Sequence, residues 1–283
     1  MRRVLTSVVS VAAMLAAAVG AGPEVAAAPA GFVDEEIADL STLTAIEALP
    51  DGRVLALEKT GRVVRIDARG ATPVLATMAQ FGDVCTSSER GLLGLAVDPA
   101  YTTSGFVYIF RTVDVGGTCV NRVSRFAMGE GGIDIAREVV LVDRISSRNR
   151  NHNAGDLDIG ADGFLYIATG DAGCDPRGDS GCSGANDAGQ DLSLLNGKIL
   201  RVQRTNGLAA PGNPFSGAGT ADRRVRGNTA ATPRTICREI YAVGLRHPYR
   251  FEFDPNSPTT RLLINHVGPS THDGRHRRRP APR

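Results

Sequence analysis

The sequence predicts an all-β fold of repeated hairpins, a β-propeller that is incomplete at about four blades. Three observations predict it. A phrase of tight turn followed by short strand recurs along the chain. A second strand with basic–apolar alternation follows each time. No long stripe of apolar residues at i, i+3 and i+4 appears after the N-terminal segment, so helices have little to build on.

The recurring phrase is clearest at Leu49-Pro50-Asp51-Gly52-Arg53-Val54-Leu55-Ala56-Leu57 and again from Ile159 through Asp162-Gly163 to Ala168. Looser copies run from Asp98-Pro99 to Phe106–Phe110 and from Asp254-Pro255 to Leu262–Ile264. Asp-Gly and Asp-Pro supply turn geometry, and the β-branched and aromatic runs after them suit strands. The second strands are Arg62–Ile66, Asn121–Phe126 and Lys198–Val202, where alternation at period two puts the apolar side chains on one face. The copies lie roughly 50–90 residues apart, blade length with insertions. A β-sandwich is the competing fold, but it does not call for such self-similarity.

Other segments lie outside this pattern. Residues 1–30 open with Arg2 and Arg3, continue as an apolar Val/Ala/Leu run and close on small residues, the pattern of a secretory signal peptide. The apolar run is shorter than a spanning helix needs, and no other segment is long enough, so no membrane span is expected and the protein is expected to be secreted. Residues 173–191 and 203–235 are rich in Gly, Asp, Ser, Pro and Asn and read as surface insertions outside the core. The hairpin body is expected over residues 31–273. Residues 274–283 carry five Arg and no acid and read as a disordered basic tail. The change of composition near Asn265, an odd cysteine and the small number of blades together suggest a reading frame that ends early.

The positive net charge of +2 rests on that tail, and the body before it is mildly acidic. A nucleic-acid partner would need a basic face in the body, and none is visible. Five cysteines occur. Cys174 and Cys182 flank a short polar loop and are natural partners, and Cys85 with Cys119 is a second bridge between neighbouring strands. Cys237 is then left over, and a missing partner is the expected reason. The spacing matches no common zinc pattern.

Four segments could carry chemistry. His152 lies just before one strand and Asp171 at the end of the next. A hairpin through Asp162-Gly163 would bring them together, so that the carboxylate fixes the imidazole tautomer and leaves the other nitrogen as a base. Arg246 and His247 precede Pro248, hence sit at a loop, and Arg suits carboxylate recognition. Glu89 and Arg90 stand at the mouth of the apolar strand Gly91–Ala96. Gly268-Pro269 offers backbone carbonyls of the kind calcium accepts. Each has a plainer reading as surface His, turn Arg, salt-bridged strand end or simple loop.

Taken as a set, in this order and spacing, these segments resemble the soluble pyrroloquinoline-quinone (PQQ) sugar dehydrogenases, the glucose/sorbosone dehydrogenase family. The phrases are Glu89–Pro99, His152–Asp171, Gly197–Val202 and Ile240–Pro248, within a likeness running from Leu43 to Pro269. The resemblance implies a six-bladed propeller with PQQ and calcium on one face. It implies His152 as general base toward the anomeric hydroxyl, Asp171 orienting it, and Arg246, His247 and Glu89 as cofactor-binding. Gly268 and Pro269 would hold the calcium. Departures stand at Asn151 for Asp, Glu89 for Gln, His247 for Asn and Val267 for Gln, and nothing matches the basic contacts of the family's later blades. The expected function is PQQ-dependent oxidation of aldose sugars to lactones, with an external electron acceptor. A non-catalytic propeller that binds carbohydrate or protein is the alternative, and a calcium-dependent propeller hydrolase ranks last.

Overall fold

The computed structural model describes residues 29, 31–33, 35–223, 234–257, 259–268 and 274–278, the last as backbone. The signal-peptide reading falls on residues outside this set. Residues up to Glu36 form one unit and Ile37 onward the second, to which every strand belongs.

Four antiparallel sheets follow one another along the chain. The first is β1 (Leu43–Ala48), β2 (Val54–Glu58), β3 (Arg62–Asp67) and β4 (Val74–Gln80), paired in sequence order. The second is β5 (Leu92–Val97), β6 (Phe106–Val115) and β7 (Thr118–Gly129), with β8 (Gly132–Ile133) and β9 (Val139–Ser146) both on β7. In the third, β10 (Ala154–Ile159), β11 (Leu165–Thr169) and β12 (Lys198–Val202) continue, past the parallel pair β13 (Thr220–Ala221) and β14 (Ile236–Cys237), to β15 (Ile240–Ala242). The fourth is β16 (His247–Phe253), β17 (Leu262–Val267) and β18 (Gly274–Arg278). The repeated phrases are thus the second and third strands of the first three sheets and the second strand of the fourth. Among the described residues the one α-helix is the four-residue turn Tyr101–Ser104.

The sheets stack because their middle strands are apolar on both faces. Leu92, Leu95, Val107 and Ile109 of the second sheet pack on Leu57 and Val63 of the first. The alternate residues Leu93, Ala96, Tyr108 and Phe110 pack on Leu157, Leu165, Ile167 and Leu200 of the third. Tyr166, Ala168 and Ile199 then turn to Phe251, Leu262 and Ile264 of the fourth. With both faces buried, register rests on the fit of individual side chains and on close approaches of the backbone more than on an apolar–polar alternation. Sheets packed face to face in sequence order are the propeller arrangement.

The stacking brings the first strands of neighbouring sheets together. A Cβ on Gly94 of β5 would lie 1.8 Å from the carbonyl oxygen of Gly155 on β10, so no larger residue fits. Both cysteine pairs are joined, Cys85 to Cys119 and Cys174 to Cys182. Cys237 is outside both bridges and fully buried in the core between the second and third sheets, packed as a small apolar side chain.

Two expectations are corrected. Residues 274–278 are not a disordered tail: their backbone pairs antiparallel with β17, Gly274 opposite His266 and Arg278 opposite Leu262. An open strand edge pairs with any extended segment through main-chain groups, whatever its side chains. The 173–191 insertion is also partly core. Cys174, Asp175, Arg177 and Ala188 are buried, because the Asp175 carboxylate accepts the amides of Arg177, Asp179 and Ser180 and folds the loop onto itself.

The Cys85–Cys119 bridge closes a 34-residue separation. Replacing both with Ser should cost about 4 kcal/mol through the freed unfolded chain. Urea denaturation of the variant reads this directly, and a loss below about 1 kcal/mol would show that the bridge adds little constraint.

Candidate active site

The segment that carries His152 is held by its neighbour Asn153. The Asn153 carboxamide accepts from the Ser147 hydroxyl (2.6 Å) and from Asn121 (3.0 Å), and donates to the Arg150 carbonyl (3.0 Å). This buried hub bends the chain so that Arg150, His152 and Ala154 all have positive φ, at 66°, 52° and 56°. Asp171 ends β11. Its Oδ1 lies 2.7 Å from His152 Nδ1 and also accepts the Gly173 amide at 2.8 Å. Gly170 is required just before it, since a Cβ there would fall 1.8 Å from the His152 carbonyl oxygen. The hairpin therefore brings the two together as expected.

Asp171 is tied onward to the fourth sheet, where its amide donates to the Arg246 carbonyl at 2.8 Å. The Arg246 amide donates to His266 Nε2 at 2.8 Å, and its guanidinium reaches the carbonyls of Val267 and Gly268, both at 3.3 Å. His247 opens β16, with its ring centroid 5.6 Å from that of His152. Burial pushes the His247 imidazole down to about 4, although Glu89 pulls the other way, so the ring is neutral near pH 7. Glu89 comes from the loop before β5. Its Oε2 accepts the His152 amide at 2.5 Å and lies 3.3 Å from His247 Nδ1.

The structure thus gathers His152, Asp171, Glu89, Arg246 and His247, with the Gly268 carbonyl beside Arg246. Pro269 lies outside the described residues. A cavity of about 470 Å³ opens here, walled by Glu89, His152, Arg246 and His247 and also by Tyr249 and Arg250. A neutral imidazole whose Nδ1 faces a carboxylate has its proton there, which leaves Nε2 as a base.

Sequence reasoning missed three contributors. Tyr249 and Arg250 line the cavity; they are neighbours in β16 next to the register shift between Pro248 and Arg250, and period-two alternation carries no signal for such a pair. Lys198, at the start of β12, is fully buried. Its ammonium donates to the carbonyls of Ala188 (2.8 Å), Gly189 (3.0 Å) and Asn196 (2.6 Å). Burial pulls this lysine down to about 7, while three carbonyl acceptors favour the charged form. It pins the loop whose Gly189 and Gly197 carbonyls receive the amides of Gly244 and Leu245, directly before Arg246.

A second cavity of about 1210 Å³ runs along β1, β10 and β16 and holds Glu47, Asp156, Asp158 and Glu252, with Arg250 between the two cavities. Burial is the main cause that raises Glu47 to about 7 and Asp156 and Asp158 to about 6, well above the roughly 4 of free carboxylates. Between those values the folded chain keeps protons that the unfolded chain has released. Raising pH from about 4 to about 7 therefore removes stability. The melting temperature should fall from pH 5 to pH 8, and Glu47→Gln should flatten the fall. A melting temperature that rises over this interval would contradict the assignment.

Comparison with known proteins gives this arrangement its context. The family model for glucose/sorbosone dehydrogenase matches residues 40–278. Quinoprotein glucose dehydrogenase B of Acinetobacter calcoaceticus is 23% identical over 83% of this chain and 48% of that protein. Among solved structures, a Thermus thermophilus protein assigned as an oxidoreductase (glucose dehydrogenase) is 31% identical with a TM-score of 0.66, over 86% of this chain and 62% of that one. The PQQ-bound aldose sugar dehydrogenase of Streptomyces coelicolor is 28% identical with a TM-score of 0.59, over 81% and 57%. The chain spans about half the length of the curated relative and less than two thirds of these solved chains. With a family model covering most of its length, the chain belongs to the glucose/sorbosone dehydrogenase family.

Proposed function

We propose that this protein is an exported PQQ-dependent dehydrogenase that oxidises the anomeric hydroxyl of aldose sugars to lactones, on a six-bladed ring of which the four sheets are blades. The observation that carries the proposal is the His152–Asp171 contact of 2.7 Å at the wall of a cavity that Arg246 and Arg250 also line. A quinone bearing several carboxylates fits such a wall. Two guanidinium groups oppose its negative charge, and about 470 Å³ is within the range of small-molecule sites. The Glu89 carboxylate, which would repel it, is turned to the His152 amide and the His247 ring. Arg246 and Arg250 would hold the cofactor, with His247 beside them.

When bound, the quinone supplies the two-electron acceptor for hydride. The protein's own part is proton transfer and orientation. Asp171 keeps the imidazole proton on Nδ1, so His152 Nε2 takes the hydroxyl proton of the sugar, and Asp171 stabilises the imidazolium that results. An external electron acceptor completes the cycle. Export rests on the two disulfides, which form in oxidising compartments. Calcium would be held by the backbone carbonyls of Gly268 and Pro269, oxygens of the kind that ion accepts. The competing reading is a propeller that binds carbohydrate or protein without oxidising it.

The test is reconstitution with PQQ and calcium followed by dye reduction across a panel of aldoses. Activity should appear with at least one aldose. His152→Ala should lower kcat by about 100-fold or more, the contribution of a positioned base, while quinone binding persists. A folded protein that binds no quinone would sink the dehydrogenase reading and leave the binding propeller.

A further inference from the structure

The two imidazoles in the smaller cavity share one carboxylate. Glu89 Oε2 accepts the His152 amide at 2.5 Å and stands 3.3 Å from His247 Nδ1. The Glu89 amide in turn donates to the Arg150 carbonyl at 3.1 Å, so the glutamate and the Arg150–His152 segment are bonded in both directions. That segment needs a clamp. Arg150 and His152 both sit in the left-handed region, at φ 66° and 52°, which is unfavourable for a residue with a Cβ.

The contact with His247 has a second consequence. If Nδ1 carried a lone pair, two lone pairs would oppose each other across 3.3 Å. A proton on Nδ1 turns that repulsion into attraction. Asp171 imposes the same choice on His152. Both rings border one cavity, their centroids 5.6 Å apart.

We infer that Glu89 is the positioning residue of this site: it locks the left-handed backbone of His152 and holds His247 as the Nδ1–H tautomer. Each ring then keeps its Nε2 as an acceptor. This rests on the dehydrogenase reading only in naming His152 as the base.

The experiment is nitrogen-15 NMR of the histidine side chains and of the His152 amide in the full chain. It needs neither quinone nor sugar, so its outcome is independent of whether the protein oxidises anything. The two rings are assigned with His152→Gln and His247→Gln. In the parent protein near pH 7 both should show the Nδ1–H pattern. Glu89→Gln is the conservative variant: one atom, Oε2, meets both the His152 amide and His247 Nδ1, so a carboxamide oxygen in its place keeps His247 as Nδ1–H and leaves the His152 amide shift unchanged. Glu89→Ala is the informative variant. It should move His247 toward the Nε2–H tautomer while Asp171 keeps His152 as Nδ1–H, and it should raise the exchange rate of the His152 amide by about tenfold or more, the loss of a charge-assisted hydrogen bond. An Nε2–H tautomer for His247 in the parent protein, or a tautomer unchanged by Glu89→Ala, would overturn the inference. If Glu89→Ala does not fold, the tautomer of His247 in the parent protein decides alone.

Discussion

The backbone contact between Gly94 and Gly155 places the rest of the site. With no side chain at either position, β5 and β10 approach until a Cα faces a carbonyl oxygen. Every larger pair would push the second and third sheets apart and open the core of Leu93, Phe110, Leu157 and Ile167. The loops entering these strands inherit the same closeness. Glu89 comes from the loop before β5 and His152 from the loop before β10, so a packing constraint in the middle of the fold becomes a hydrogen bond at its end. The third and fourth sheets repeat the logic, where the Asp171 amide meets the Arg246 carbonyl.

The site is held by polar groups that are almost wholly satisfied. Asn153, Lys198 and Asp175 each serve three or more neighbours from a buried position, and a buried polar group so used stabilises one conformation over its competitors. The left-handed residues around His152 are costly locally, yet the Asn153 hub, Gly170 and Glu89 over-determine them. Rigidity of this kind suits a base that must meet a substrate hydroxyl in one orientation.

How much of this was legible in the sequence depends on distance along the chain. The turn at Asp162-Gly163 and its flanking strands announce themselves locally, and so does the His152–Asp171 pairing, because one hairpin joins them. The two disulfides followed from neighbouring strands and a short loop. The approach of Glu89 to His247 was not legible, since it needs three sheets stacked before the two residues meet. The burial of Lys198 was not legible for a related reason. The loop of residues 188–196 folds over it and supplies three carbonyls, which the spacing of the strand does not show. The β18 pairing was hidden because it uses main-chain groups, which leave no trace in composition. The acid-lined cavity draws its carboxylates from three strands that are remote in sequence.

The central claim is that a quinone occupies the cavity beside His152 and not the larger cavity along β1 and β16. A crystal structure of the protein grown with saturating PQQ tests this most directly. The account predicts quinone density in the cavity of about 470 Å³, against His152 and with its carboxylates toward Arg246 and Arg250. Density confined to the acid-lined cavity, or none in either place, would contradict it.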